Sequence, residues 1–379
     1  MWKKALSRRC KDTNEPLDAV RGQQMEVAMK LIHAFSRGGK PVLLGQHTRL
    51  AGKGSRWWRV ALVPLLVTFL LASFAETAGA QKVYSIGSLN TAEQFISAFE
   101  GFRIRMAELG YRANHNVRYQ FYNSRGKHDL LVSLAEKLIQ DKVDLIVTSS
   151  TSATAVAAKA TEKTRIPVLF LSAGNPEKLV KSYAGSGKNL AGISSASLEL
   201  FEKRFELLKE LAPSTKRVAV LHYPPGINYR SNVSETREAA VRFNLKLVEF
   251  NVMTVDEMEK STRAINRADF DAIFAPPESF ITEKIDVLVT QAIKEKMPLI
   301  TSLLVNVERG CLATYAANYM ALGKQGAALA DKIFKGANPG SLPVEMPDKV
   351  NLVFNLKTAK AIDLKISKEL LLRADQVFE

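Results

Sequence analysis

Residues 144–161 read DLIVTSSTSATAVAAKAT, and this stretch decides the fold. Its first five residues, Asp144-Leu145-Ile146-Val147-Thr148, form a short apolar run of the kind buried on both faces of a parallel sheet. A hydroxyl-dense turn follows, and then an alanine-rich run over 153–161 that favours helix. Strand, polar turn and helix make one step of a βαβ unit, and the same step recurs in both directions. Upstream, apolar runs at 83–87 and 117–122 alternate with helical patterns over 95–109, closed by Gly110, and around Leu130, Leu131, Leu134, Leu138 and Ile139. Downstream comes a strand over 167–171, after which the order starts again. Strands are expected at 217–221, 245–250, 271–275, 298–301 and 312–315. Helices are expected at 198–211, 232–243, 255–266, 281–295 and 322–334. The fold class this implies is α/β: two doubly wound parallel-sheet lobes joined by a hinge near 192–197.

The chain has 379 residues, 46% hydrophobic and 24% charged, with 21 Gly and 14 Pro. That composition excludes collagen-like, low-complexity and wholly disordered classes, and the length allows two cores. The formal charge of +15 is uneven: residues 1–80 hold 13 Lys/Arg against 5 Asp/Glu, and the rest hold 40 against 33. A small excess spread over a large body reads as solvated surface, and no nucleic-acid partner is expected. Cys10 and Cys311 cannot build a disulfide framework, and Cys311 suits a buried apolar role better than a nucleophile.

The first eighty residues read as an address. Arg56-Trp57-Trp58-Arg59 precedes an uncharged run over 60–75, followed by Ala78-Gly79-Ala80. A basic flank, an apolar run and an Ala-x-Ala site are the parts of a secretory signal peptide. A run of 16 residues broken by Pro64 and Thr68 is short for a bilayer span of about 20. Cleavage after Ala80 and a periplasmic location are expected, with an uncleaved anchor as the alternative. Residues 1–50 lie upstream of an ordinary basic flank, which fits a start point nearer the apolar run.

Motifs for chemistry fail when checked. Gly185-Ser186-Gly187-Lys188-Asn189 lacks the leading glycine and the hydroxyl after lysine that a phosphate loop needs. Gly192-Ile193-Ser194-Ser195-Ala196 approaches a nucleophile elbow but ends in alanine. The five histidines form no i,i+3 or i,i+4 pair, so no metal and no cofactor is expected.

The informative chemistry lies at the carboxyl ends of the strands, where open parallel sheets bind ligands. Candidate ligand contacts there are Asn90 and Thr91 after the first strand, Ser149, Ser150, Thr151 and Ser152 after the third, and Ser172 and Asn175 after the fourth. The second half contributes His222, Tyr223, Glu278 and Tyr315. Ser, Thr and Asn also cap helices and shape turns, which accounts for part of this set, and the two tyrosines suit a core equally well. A helix N-terminus dense in hydroxyls is also a carboxylate cradle. The 149–154 loop is therefore expected to hold an anionic group, with Asn90 and Thr91 beside it, Glu278 facing an ammonium and Tyr223 flanking the apolar part.

The order of several short segments resembles the substrate-binding proteins of ABC transporters, in the branch that includes tryptophan- and tyrosine-binding members. It runs from Ala98-Phe99-Glu100-Gly101-Phe102 and Glu108-Leu109-Gly110-Tyr111, through Val143-Asp144-Leu145-Ile146-Val147, Ile166-Pro167-Val168 and Asn189-Leu190-Ala191-Gly192-Ile193-Ser194. It continues through Arg217-Val218-Ala219-Val220-Leu221 and Leu322-Gly323-Lys324-Gln325-Gly326-Ala327 to Leu342-Pro343-Val344-Glu345 and Asn355-Leu356-Lys357-Thr358-Ala359-Lys360. Two departures fall in candidate cleft loops: Asn175 stands where members often carry Asp, and His222-Tyr223-Pro224-Pro225 replaces an aromatic-Asn-Pro turn. The resemblance implies a periplasmic binding protein type I-like clamp, monomeric, closing on a small molecule such as an amino acid and docking on an ABC permease. The first lobe is expected to hold 81–195 plus 312–338 and the second 196–311 plus 339–379, with chain passes near 194–197, 310–313 and 336–343. An exported enzyme using the same cleft is the alternative, disfavoured by the missing catalytic set. A ligand-sensing regulator would need a DNA-binding head that 1–80 does not supply.

Overall fold

The computed structural model describes residues 82–379, so the readings of the basic segment, the apolar run, the cleavage site and Cys10 lie outside the described residues. The first sheet is built from β1 (Tyr84–Asn90), α1 (Ile96–Glu108), β2 (Val117–Asn123), α2 (His128–Gln140), β3 (Leu145–Thr148), α3 (Thr151–Ala160), β4 (Val168–Ala173) and β5 (Leu190–Ser194). Its strands run in the order β2-β1-β3-β4-β5, all parallel. All four residues of β3 and all six of β4 are buried, as strands covered by helices on both faces must be. α2 turns Leu131, Ala135 and Leu138 onto one buried stripe, the i, i+4, i+7 spacing of a helix lying on a sheet.

The chain then passes through α4 (Phe201–Leu211), β6 (Arg217–His222), α5 (Tyr229–Arg242), β7 (Lys246–Asn251), α6 (Val255–Ala264), β8 (Ala272–Ala275), α7 (Ser279–Glu283), α8 (Ile285–Lys294), β9 (Leu299–Thr301), α9 (Leu304–Glu308) and β10 (Ala313–Ala317). The strand order β7-β6-β8-β9-β10 repeats that of the first sheet. α10 (Tyr319–Phe334) follows, and β11 (Val350–Asn355), α11 (Leu356–Ala361), α12 (Lys368–Arg373) and β12 (Gln376–Phe378) complete the second sheet. β11 is antiparallel to β10, so the second sheet is mixed where an all-parallel one was expected. The helix expected over 281–295 is two helices, interrupted at Lys284.

The lobe boundaries differ from those expected. Ala313–Ala317 was assigned to the first lobe but pairs with β9 and β11 in the second sheet, so 310–313 is not a pass between lobes. Gly310 (φ 112) only turns the chain from α9 into β10. The passes lie between β5 and α4, between β10 and α10, and after Glu345, whose N–H donates to Gly192 O beside β5.

α10 belongs to the first lobe. Ala317, Leu322, Ala327, Leu329 and Ala330 pack with Ile86, Phe102, Leu169 and Ile193 in one core. The approach of α10 to α1 is extreme: a Cβ on Gly323 would lie 1.8 Å from Ala98 O, and one on Gly101 would lie 2.0 Å from Met320 O. Only glycine permits that backbone contact at both positions. Cys311 is a fully buried, free thiol whose pKa burial pushes up, which suits packing and not nucleophilic chemistry.

Candidate functional site

A cavity of about 610 Å³ lies where the carboxyl ends of strands from both sheets meet. From the first lobe it takes Thr91, the helix start Ser150-Thr151-Ser152, Ser172 and Gly174; from the second it takes Tyr223, Asn228, Glu278 and Phe280. This is the position at which parallel α/β sheets place ligands, because loops and helix N-termini gather there.

Ser150 sits at φ +85, in the left-handed region that a residue with a side chain enters at a cost. Its Oγ caps α3 by accepting from Ala153 N at 3.2 Å, and it also accepts from Thr91 Oγ1 at 3.1 Å. The cap satisfies one of the free N–H groups at the start of α3 and leaves others toward the cavity. Ser172, 2% exposed, also lines the cavity, and its buried Oγ has no partner. A hydroxyl held in place and left unsatisfied is a group waiting for an acceptor, such as a carboxylate oxygen.

Glu278 is 5% exposed, and its Oε1 accepts from Asn232 Nδ2 at 2.6 Å. Burial away from water pushes its carboxyl up to about 7, against the smaller opposing effect of the Asn232 hydrogen bond. Two stacked aromatic pairs frame the remaining volume. Tyr223 lies on Phe280 with centroids 4.6 Å apart in the second lobe, and Phe95 lies on Tyr319 at 5.4 Å in the first. Below them Arg204, 1% exposed, donates from Nη1 to Ser197 O at 2.8 Å, from Nε to Tyr315 O at 2.9 Å and from Nη2 to Ser302 O at 3.4 Å. Burial pushes its pKa down to about 9, against the smaller opposing effects of Tyr319 and the Glu199 carboxylate.

Of the expected contacts, Thr91, Ser150, Thr151, Ser152, Ser172, Tyr223 and Glu278 line the cavity together. The others are placed elsewhere. Asn90 is fully buried, donating from Nδ2 to Ser88 Oγ and Tyr122 O, and Ser149 is buried behind the turn. Asn175 donates to Ser231 Oγ at 2.9 Å, a direct bond between the lobes. His222 turns to Glu249, Nε2 to Oε1 2.9 Å, and burial lowers its pKa while Glu249 opposes that. Tyr315 packs against the second core, and its OH accepts from Arg373 Nη2 at 3.0 Å. Phe95, Phe280, Asn228 and Tyr319 line the cavity without having been singled out.

The family described as ABC transporter substrate binding protein matches residues 92–378, a span that takes in every strand after β1 and every cavity residue after Thr91. The chain belongs to this family. A tyrosine-binding protein of Clostridioides difficile (strain R20291) is 28% identical over 287 residues, covering 75% of this chain and 82% of that one. Among solved structures, an ABC domain in complex with L-Trp from Streptococcus pneumonia superposes with a TM-score of 0.73 at 26% identity, covering 78% of this chain and 100% of that one. The ligand-free, open structure of a substrate binding protein with adhesive properties from Clostridium difficile gives 0.62 at 26% identity, covering 78% and 99%. The fold is periplasmic binding protein type I-like, and the family and these relatives are substrate-binding proteins, not enzymes.

Among the described residues, no helix is long and apolar enough to cross a membrane, and no group of three or more His, Cys, Asp and Glu side chains could hold a metal ion.

Proposed function

We propose that this chain is the exported solute-binding component of an ABC importer, which takes an aromatic amino acid between its lobes and delivers it to a permease. The observation that carries the reading is the composition of the cavity. It has a hydroxyl-lined helix start on one lobe, a buried carboxylate on the other, and an aromatic pair on each. An α-amino acid with a flat side chain has matching parts. Its carboxylate would take the hydroxyls of Ser150–Ser152 and Ser172 with the free N–H groups of α3, its ammonium would face Glu278, and its ring would lie between Phe95, Tyr319, Tyr223 and Phe280.

The relatives named for tyrosine and tryptophan support that ligand class. The higher score against the tryptophan-bound structure than against the open one, at equal identity, fits lobes that already lie close together. Direct bonds between the lobes, Asn175 Nδ2 to Ser231 Oγ at 2.9 Å and Asn228 Nδ2 to Thr151 Oγ1 at 3.4 Å, fit the same arrangement. Export rests on the order of basic flank, apolar run and Ala-x-Ala over 56–80.

Two experiments test the proposal. Calorimetric titration of the purified mature protein with L-tyrosine and L-tryptophan should give saturable binding, and sugars should give none. N-terminal sequencing of the exported protein should begin near Gln81; a retained apolar segment would refute cleavage.

A further inference from the structure

Asn228 stands at the head of α5, but its side chain does not cap that helix. Nδ2 instead donates across the cleft to Thr151 Oγ1 at 3.4 Å, the same hydroxyl oxygen that accepts from Asn175 N at 3.2 Å. The Asn228 Oδ1 is buried and has no donor. One helical turn on, Asn232 is bonded back to Asn228 through its backbone N–H and holds Glu278 through its side chain. The loop between Tyr223 and Asn228 presses against the same carboxylate, so closely that a Cβ on Gly226 would lie 2.5 Å from Glu278 Oε2. The titratable side chains that line the cavity with Glu278 are Lys127, His128, Tyr223, Glu283 and Tyr319, and among the described residues none forms an ion pair with it. Glu278 and Asn228 both line this cavity, and among the described residues, beyond the Asn232 bond to Oε1, neither the Glu278 carboxylate nor the Asn228 carboxamide oxygen receives a donor from a side chain.

We infer that Asn228 Oδ1 and Glu278 Oε2 form the seat of one primary ammonium group, that Asn232 is the positioning residue for Glu278, and that Asn228 makes the site select ligands carrying a free amine. An ammonium brings three N–H donors, enough for both acceptors with one to spare for a hydroxyl or water. Because the other end of the Asn228 amide touches Thr151 at the start of α3, cation and anion seats lie within the reach of a single side chain. That spacing is what a ligand bearing both groups on one carbon demands. Leaving either acceptor unpaired in a dry site is costly, so a ligand without the amine is rejected and not merely bound less well.

The inference rests on the amino-acid reading, and the test separates the two. L-Tyrosine and L-tryptophan are titrated alongside their desamino counterparts, 3-(4-hydroxyphenyl)propionate and indole-3-propionate, on the wild type and on Asn228→Ala and Asn228→Asp. The amino acids should bind at least a hundredfold more tightly than the desamino acids. Asn228→Ala should shrink that ratio at least tenfold by weakening the amino acids alone, and Asn228→Asp should restore it. If Asn228→Ala weakens both classes equally, Asn228 serves only to join the lobes and the seat is refuted. Desamino acids that bind as well as the amino acids refute the seat while leaving the aromatic carboxylate reading standing. Failure of all four ligands to bind overturns the amino-acid reading and the seat with it.

Discussion

Replacing Glu278 by Gln should reshape the pH dependence of stability in the ligand-free protein. The carboxyl is buried against Asn232 and Gly226 with no cation beside it, and its pKa is pushed from an ordinary 4.5 up to about 7. In the unfolded chain it ionises near 4.5, whereas the folded protein holds the proton until about 7. Between those values the folded state binds more protons, so stability falls as pH rises and levels off above 7. At about 1.4 kcal/mol per pKa unit, the total contribution of this group is about 3 kcal/mol. Glutamine keeps the shape and an acceptor for Asn232 but carries no charge, so Glu278→Gln removes this component. Denaturant unfolding of both proteins from pH 4 to pH 8.5 measures it. The wild type should lose about 3 kcal/mol relative to the variant across that range, with most of the change between pH 4.5 and 7. Parallel stability curves would show that the carboxylate reaches water or a hidden partner, and the argument for an unpaired acid in the cleft would fail.

Three further outcomes follow from other parts of the molecule. A Ser150→Ala/Thr151→Val double variant should lower affinity for L-tyrosine ten- to hundredfold, the cost of one charge-assisted hydrogen bond at about 1.5–3 kcal/mol. It should also lower the melting temperature slightly through loss of the α3 cap; unchanged affinity in calorimetry would show that the serine run only caps its helix. Gly323→Val should destabilise the protein by about 3 kcal/mol or more, because the new Cβ would meet Ala98 O at 1.8 Å; an unshifted thermal transition would refute the close α1–α10 contact. Asn175→Ala removes a direct bond between the lobes, so small-angle scattering of the ligand-free variant should give a larger radius of gyration than the wild type, and saturating L-tyrosine should restore compaction. Equal radii throughout would count against a clamp.

The strands that were legible in the sequence are those whose signal is local. Leu145–Thr148, Arg217–His222 and Ala272–Ala275 are short apolar runs that belong inside a parallel sheet whatever their neighbours do. β5 escaped because Gly192 breaks its run; an added Cβ there would lie 2.2 Å from the Phe170 backbone O and 2.4 Å from the Cγ of its ring. The antiparallel return of β11 onto β10 carries no local mark, since partner choice is decided by the completed sheet.

The site was legible to the same depth. Composition marked the strand-end loops, and Thr91, Ser150, Thr151, Ser152, Ser172, Tyr223 and Glu278 do meet in one cavity. It could not say which way each side chain turns. Asn175 and His222 sit at or just past strand ends like the others, whereas Tyr315 is the middle residue of β10, and the three turn to Ser231, Glu249 and Arg373. Phe95 and Tyr319 meet only because α10 folds back on the first lobe, a pairing across the length of the chain.

The return of α10 to the first lobe also dictates an order of assembly. The seam between α1 and α10, where Gly101 meets the Met320 backbone and Gly323 the Ala98 backbone, closes a core whose members in α1 and the first sheet lie more than a hundred residues earlier, with most of the second lobe in between. During synthesis the first sheet emerges early, yet one of its covering helices arrives only after β10 is complete. Until then Ile86, Phe102 and Leu169 lack their partners, and contacts at such sequence separation form slowly. With that last clasp so late in the chain, the first lobe's core closes only after β6 to β10 of the second lobe have been made.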